Sequence, residues 1–313
     1  MVWKFQNATI LCIAVLFLSI NPLCANEMDI AVYLSIKSSP ANKTMGIPYY
    51  TTKDIITLQS EVINNSNTSY RVSENFISNC KGPDIILVSP LGNLLLPIKP
   101  YAYGSGYKSG VDNPPLGYVF YKGEFIQPVP CKKFQSGNHK KFESVLKGLD
   151  SYFNLALPGI YSVQFQVSAM IFKNTGFCAF DNLRWQGLLK SPTIYFFYEG
   201  ETQINVNPHE WPISWTKYPD SPINVTVTFK NRERYNSIDK HSFRINAVNF
   251  TKDIIENESE LSYSLVLKDS DFILKILYPY GDITIGKYPI VLYGKFVSGE
   301  PFGGAFLIEV LNK

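Results

Sequence analysis

Apolar residues in this chain arrive in short bursts. Val, Ile and Thr stand beside Tyr and Phe in brief runs, and each run is cut by Pro, Gly, Asn or Asp. That is the composition of strands and turns. The chain holds 20 Tyr and 21 Phe, so the runs can supply large side chains to an interior. Long stretches with a 3.6-residue apolar period are missing. The best helical candidate is His139 to Leu149, and a strand reads almost as well there. The expected fold class is therefore all-β.

A pass along the chain gives the expected organisation. Met28 to Ile36, Lys53 to Asn64 and Ser69 to Ser78 read as strands. Asp84 to Ser89 and Leu94 to Ile98 flank Pro90-Leu91-Gly92-Asn93 and read as a hairpin. Lys99 to Gly117 reads as loop, and Tyr118 to Gln127 as strand. Pro158-Gly159 makes a sharp stop, after which residues alternate from Tyr161 to Val167. A Tyr just past such a stop fits the tyrosine corner of Greek-key sandwiches. Antibody domains carry Cys two residues later, and here that residue is Val163. Thr193 to Tyr198 closes this unit, and Glu199 to Glu201 is a polar break. Seven short strands are expected beyond it: Gln203 to Val206, Ile223 to Phe229, Ser242 to Val248, Leu261 to Leu267, Asp271 to Leu277, Tyr288 to Val297 and Gly304 to Leu311. That count suits an immunoglobulin-like sandwich. The expectation is two Ig-like, Greek-key β-sandwich domains in tandem, over residues 26–200 and 201–313.

Residues 1–25 have the layout of a secretory signal: Lys4 near the start, an apolar run from Ala8 to Ile20, and a small residue, Ala25, at the expected cut. The run is about 13 residues, short of the roughly 20 that span a bilayer. An uncleaved anchor is the rival reading. Leu23 before Cys24 argues against lipid modification there. The expected locale is exported, either periplasmic or extracellular at the cell surface, with no membrane span after cleavage.

The formal charge of +3 gives no electrostatic footprint for nucleic acid. Gly-x-Ser-x-Gly and phosphate-binding glycine loops are absent. His139, His209 and His241 stand far apart, with no metal-ligand spacing, so no metal and no cofactor are expected. Acidic residues are plentiful enough that some carboxylate pair must lie close by chance, and a glycosidase built from such a pair stays open. The mature chain retains Cys80, Cys131 and Cys178. In an immunoglobulin-like strand order the connection holding Cys178 falls at the same end of the sandwich as Cys131. A bridge needs Cα atoms within about 7 Å, so Cys131 with Cys178 is the expected pair. Three free thiols are the rival.

The Tyr/Gly/Ser-rich loop after Lys99 is the stretch best suited to contact a ligand, through Tyr101, Tyr103 and Tyr107. A connection whose tyrosines fold back on the sheet is the plainer alternative. Trp185, Trp211 and Trp215 could stack on sugars, with core packing as the rival. Glycosylation sequons stand at Asn42, Asn64, Asn67, Asn224, Asn249 and Asn257.

Two resemblances extend this reading. Tyr118 to Ile126, Phe142 to Tyr152 and Leu157-Pro158-Gly159-Ile160-Tyr161 together resemble a β-sandwich module of exported bacterial proteins. They also resemble the non-catalytic region ahead of deuterolysin-type zinc peptidases. Tyr121 and Gly123 fit that pattern, while Val119 fills its aromatic slot. The peptidases' His-Glu-x-x-His helix has no counterpart, because His209-Glu210 is followed by Trp211-Pro212-Ile213. The resemblance therefore implies a fold and no peptidase activity. Val291 to Val297, Gly299, Phe302, Gly304 and Phe306 to Val310 resemble the small immunoglobulin-like domains that end bacterial surface proteins. The function expected from all this is a non-enzymatic binding or structural module with a protein or glycan partner. The alternatives are an accessory carbohydrate- or peptidase-associated module and a glycoside hydrolase-like enzyme with scattered carboxylates.

Overall fold

The computed structural model describes residues 30–40, 42–44, 46–65, 70–73, 84–98, 131–134, 141–172, 183–216, 222–246, 248–250, 253–268, 276–277, 280–281 and 283–312. Nearly all regular structure is strand. The first half contributes β1 (Ile30–Ile36), β2 (Asn42–Thr44), β3 (Ile47–Tyr50), β4 (Thr57–Asn64), β5 (Tyr70–Ser73), β6 (Asp84–Val88), β7 (Leu94–Leu95), β8 (Cys131–Phe134), β9 (Lys141–Lys147), β10 (Gly159–Phe172), β11 (Leu183–Lys190) and β12 (Ile194–Tyr198). One sheet runs β1-β4-β9; the other is built around β10, with β12 and β11 on one side and β6 and β5 on the other. β3 joins this second sheet parallel to β12.

Alternation fixes the inner faces. On β4, Leu58 and Val62 turn inward with Ser60 and Asn64, while their neighbours are half-exposed. On β10, Tyr161, Val163, Phe165 and Val167 are buried, with Ser162, Gln164 and Gln166 between them on the other face. The Tyr161 hydroxyl donates to the Leu157 carbonyl at 2.8 Å. This is the tyrosine corner, with Val163 in the inward position that a cysteine takes in antibody domains.

The second half contributes β13 (Gln203–Asn207), β14 (Glu210–Pro212), β15 (Ile223–Thr228), α1 (Arg232–Asn236), β16 (Ile238–Ile245), β17 (Val248–Asn249), β18 (Ile254–Asn257), β19 (Ser262–Leu267), β20 (Gly286–Phe296) and β21 (Pro301–Leu311). Its sheets run β13-β15-β19-β18 and β14-β21-β20-β16-β17. That order is an immunoglobulin sandwich: the ABED sheet faces a GFC sheet extended past its third strand. Ile223, Val225 and Val227 line one core wall and alternate with half-exposed Asn224, Thr226 and Thr228. Aromatic rings fill the centre. Phe229 meets Phe302 edge-on at 5.3 Å, and Tyr235 stacks on Tyr263 at 4.7 Å.

One core cluster draws on residues 30–198 and a second on residues 204–310. A small third cluster joins Tyr49 and Phe197 to Val291 and Ala305.

Several sequence expectations are corrected. The helix candidate at His139–Leu149 is strand β9 over Lys141–Lys147, paired along its length with β4. It ends at Gly148, whose φ of 72° starts a 3-10 turn over Leu149–Ser151. Ile276 and Leu277, expected to end a strand, are helical and buried. Strands β2, β3, β8, β11, β14 and β18 have no counterpart among the expected strands. The expected strand Tyr118 to Gln127 lies outside the described residues.

Candidate binding surfaces

Tyr101, Tyr103 and Tyr107 lie outside the described residues, as do His139, Cys80 and Cys178. Cys131 opens β8, opposite Ser73. Trp211 and Trp215 are buried in the second core, and the Trp211 indole N–H donates to the Pro208 carbonyl at 2.9 Å. Sugar stacking on these two rings is thereby excluded. Trp185 stands on β11 opposite Ile171. His209 and His241 are both exposed, one just ahead of β14 and the other on β16. Asn64 is 0 % exposed, so its sequon cannot carry a glycan in the folded chain. Among the described residues, no group of three or more His, Cys, Asp or Glu gathers at a metal-binding spacing.

Among the described residues of the second sandwich, register breaks where β16 meets β20. Asp239 faces Lys295 and Arg244 faces Tyr293, so residues 240–243 of β16 stand against Gly294 alone. The extra residues form a large bulge, the device that re-aims side chains beside functional sites. Hydrogen bonds hold it. The His241 N–H donates to Asp239 Oδ1 at 3.1 Å, the Ser242 hydroxyl to the Asp239 carbonyl at 2.6 Å, and the Lys295 N–H to Ser242 Oγ at 2.7 Å. Phe243 returns to the core at 0 % exposure and packs edge-on against Phe302 at 6.0 Å. The Phe302 ring in turn covers Gly294, where an added Cβ would lie 2.3 Å from the ring carbon Cζ.

This bulge borders an open depression of about 530 Å³, lined by Lys240, His241, Lys295, Phe296, Val297 and Gly299. The connection carrying α1 and the turn between β20 and β21 meet beside it. The Val297 N–H donates to the Ser237 carbonyl at 2.6 Å. Arg234 lies over the Phe296 ring at 5.4 Å and approaches Glu300 at 4.0 Å. Lys240 is tied to Glu256 of β18. Lys295 and His241 are exposed. The chemistry offered is a hydrogen-bonding surface of mixed charge, with Asp239 and Glu256 beside Lys240 and Lys295. No sequence signal marked it, because a bulge shows only in register against a strand some fifty residues away.

A second surface is already occupied. Tyr49 and Phe197 project from the outer face of the first unit's large sheet and stack at 5.1 Å. Val291, Tyr293, Ala305 and Leu307 project from the outer face of the second unit's β20 and β21 and close over them. The Tyr293 hydroxyl donates to the Pro158 carbonyl at 2.6 Å, and the Thr44 hydroxyl to the Lys287 carbonyl at 3.3 Å. Gly303 is required here, since an added Cβ would meet Pro158 Cδ at 2.8 Å. Burial pushes the Tyr293 hydroxyl up to about 12 and raises that of Tyr49 further. Burial also raises the Glu199 carboxyl, opposed by hydrogen bonds from the Thr52 N–H and hydroxyl.

No protein-family profile matches the chain, and no match was found among curated protein sequences. Solved structures give only distant likenesses. Red sea bream transglutaminase is 10% identical over 90% of this chain and 31% of its own, with a TM-score of 0.27. Murine CEACAM1b is 8% identical over 89% of this chain and 100% of its own, at a TM-score of 0.21. The fibronectin(III)-like modules of Clostridium thermocellum CbhA are 10% identical over 90% of this chain and 94% of their own, at 0.18. This chain thus spans about a third of the transglutaminase. The resemblance to the region ahead of deuterolysin-type peptidases has no counterpart among these structures.

Proposed function

We propose that this chain is an exported, non-catalytic binding module whose two sandwiches form a framework and whose ligand meets the irregular end of the second. The observation that supports this is the bulge of β16. It breaks an otherwise regular ladder, is held in place by hydrogen bonds, and places Lys240 and His241 beside Lys295 and the β20–β21 turn. Rigid sandwiches carry recognition on such ends. The partner is a protein or a glycan whose polar groups meet this mixed-charge, hydrogen-bonding surface. Among the described residues no helix is long and apolar enough to cross a membrane.

The test is retention of the chain lacking residues 1–25 on arrays of glycans and of extracellular proteins. The triple variant Lys240→Ala, His241→Ala, Lys295→Ala is run beside it. The expected result is a retained ligand whose affinity falls by about ten-fold or more in the variant. Retention unchanged in the variant, or turnover of an arrayed glycan or protein by the unaltered chain, would contradict the proposal.

A further inference from the structure

The outer face of the β13-β15-β19-β18 sheet carries hydroxyls and amides where a protein surface ordinarily mixes in charge. Directly opposed residues of an antiparallel ladder share a face. Gln203 of β13 faces Thr228 of β15, Thr228 faces Ser262 of β19, and Ser262 faces Asn257 of β18. In the next row Asn205 faces Thr226, Thr226 faces Ser264, and Ser264 faces Ile255. Their alternates Ile204, Val227 and Leu265 are buried in the core, so these two rows point outward. Ile255 apart, every position holds an uncharged hydrogen-bonding group. Surfaces of soluble domains are roughly a quarter to a third charged. Here Glu256 alternates away from the rows and is tied to Lys240. Glu201, Lys230 and Glu260 lie beyond the strand ends. The connections at that end of the sheet, over 199–203, 228–238 and 257–262, are described throughout.

These groups have hydrogen bonds left to make. Gln203 and Asn205 are exposed, and Thr228 is half-exposed. Thr226 and Ser264 share one bond at 2.8 Å. The Asn257 amide oxygen accepts from the Ser259 hydroxyl at 2.7 Å and the Glu260 N–H at 3.3 Å, which leaves its own N–H groups to donate. Ser262 is only 2 % exposed, yet no hydrogen bond among the described residues uses its hydroxyl. A polar group enclosed without a partner is costly and points to one supplied from outside.

We infer that this face binds a neutral polysaccharide, at a site separate from the bulge between β16 and β20. Charge matching carries the choice. An ionic partner finds no counter-charge on the rows. An apolar partner would bury their amides and hydroxyls unpaired. A neutral sugar chain offers hydroxyls that both donate and accept, ring after ring. Outward side chains repeat at roughly 7 Å along a strand and about 4.8 Å across the sheet, so a polymer spans several at once. The rows hold no aromatic ring to stack on a sugar, so each contact is weak and the polymer sums them.

Affinity electrophoresis of the chain lacking residues 1–25 tests this. The gels hold a soluble β-glucan, arabinoxylan, galactomannan or dextran, with polygalacturonate as the charged comparison. The double variant Asn205→Ala, Thr228→Ala and the single variant Gln203→Ala are run beside the control Tyr195→Ala. Tyr195 is 53 % exposed on β12 of the first unit, away from the rows. The expected result is retardation by at least one neutral polysaccharide, unmoved by added salt. Its dissociation constant rises by about ten-fold or more in the double variant and stays unchanged in the control. Unchanged melting curves show that the variants fold. No retardation by any of the four neutral polymers would overturn the inference. So would retardation confined to polygalacturonate, or indifferent to the face variants. Retardation lost in the triple variant Lys240→Ala, His241→Ala, Lys295→Ala but kept in the face variants would place the sugar at the bulge. That result overturns this inference and leaves the proposed function standing.

Discussion

Tyr161 and Tyr288 do the same work in the two sandwiches. Each donates its hydroxyl to the carbonyl four residues earlier, Leu157 at 2.8 Å and Thr284 at 3.0 Å. Each stands two residues after a glycine with positive φ, Gly159 at 130° and Gly286 at 156°. The first corner was legible because Pro158-Gly159 announces it. The second was missed, although the same Gly-x-Tyr spacing recurs at Gly286-Lys287-Tyr288. Replacing Tyr161 with Phe removes one hydrogen bond and is predicted to cost about 1 kcal/mol, read from urea midpoints; Tyr288→Phe should cost more, because the Thr284 N–H also donates to that hydroxyl at 3.0 Å and would lose its partner. Tyr235→Phe should behave oppositely, because its buried hydroxyl has no hydrogen-bond partner among the described residues; equal or greater stability is expected. The buried tyrosines also set an alkaline limit. Tyr293 titrates near 10.0 when unfolded and at about 12 when folded. Between those values the unfolded chain holds fewer protons, so stability falls as pH rises through that window. Unfolding free energies measured from pH 9 to 12 should decline, and a flat profile would contradict the burial of these hydroxyls.

At the scale of elements, strands with a strict two-residue period were readable, whereas several short strands and the eight-residue β11 were not. β4 and β10 follow a strict two-residue period, which the pleat imposes on any strand with one buried face. β2, β3 and β14 have three or four residues each, too few for a period to show. β3 and β14 pair in parallel with β12 and β21, far away in sequence. β9 stayed open between helix and strand because Phe142, Val145, Leu146 and Leu149 also fit a helical face, and pairing with β4 decided for the strand. The bulge in β16 was invisible for a similar reason, since register belongs to two strands at once. Glycines mark where elements approach most closely. At Gly304 an added Cβ would lie 2.0 Å from the Thr202 carbonyl oxygen. Backbone there cannot step aside cheaply, so Gly304→Ala is predicted to destabilise by about 1–3 kcal/mol in chemical denaturation.

At the scale of the whole molecule, the polar stretch after Tyr198 reads as a linker by composition, yet its backbone is hydrogen-bonded to both units. The Glu199 carbonyl accepts from the Ala305 N–H at 2.7 Å, the Glu201 N–H donates to Ala156 at 3.1 Å, and the Thr202 N–H donates to Gly303 at 3.1 Å. Charge and polarity reveal that a segment can meet water; they do not reveal which carbonyls wait for it. Beside it, Tyr49, Phe197, Val291 and Ala305 are all less than a tenth exposed. Buried side chains of this kind contribute roughly 1.5–3 kcal/mol each for the larger ones. We expect this seam to couple two separate cores into one cooperative unit. Scanning calorimetry of the chain lacking residues 1–25, beside its Val291→Asp variant, tests that most directly. The prediction is one transition for the unaltered chain, splitting into two when a charge is forced into the seam. Two well-separated transitions in the unaltered chain, unmoved by Val291→Asp, would contradict it.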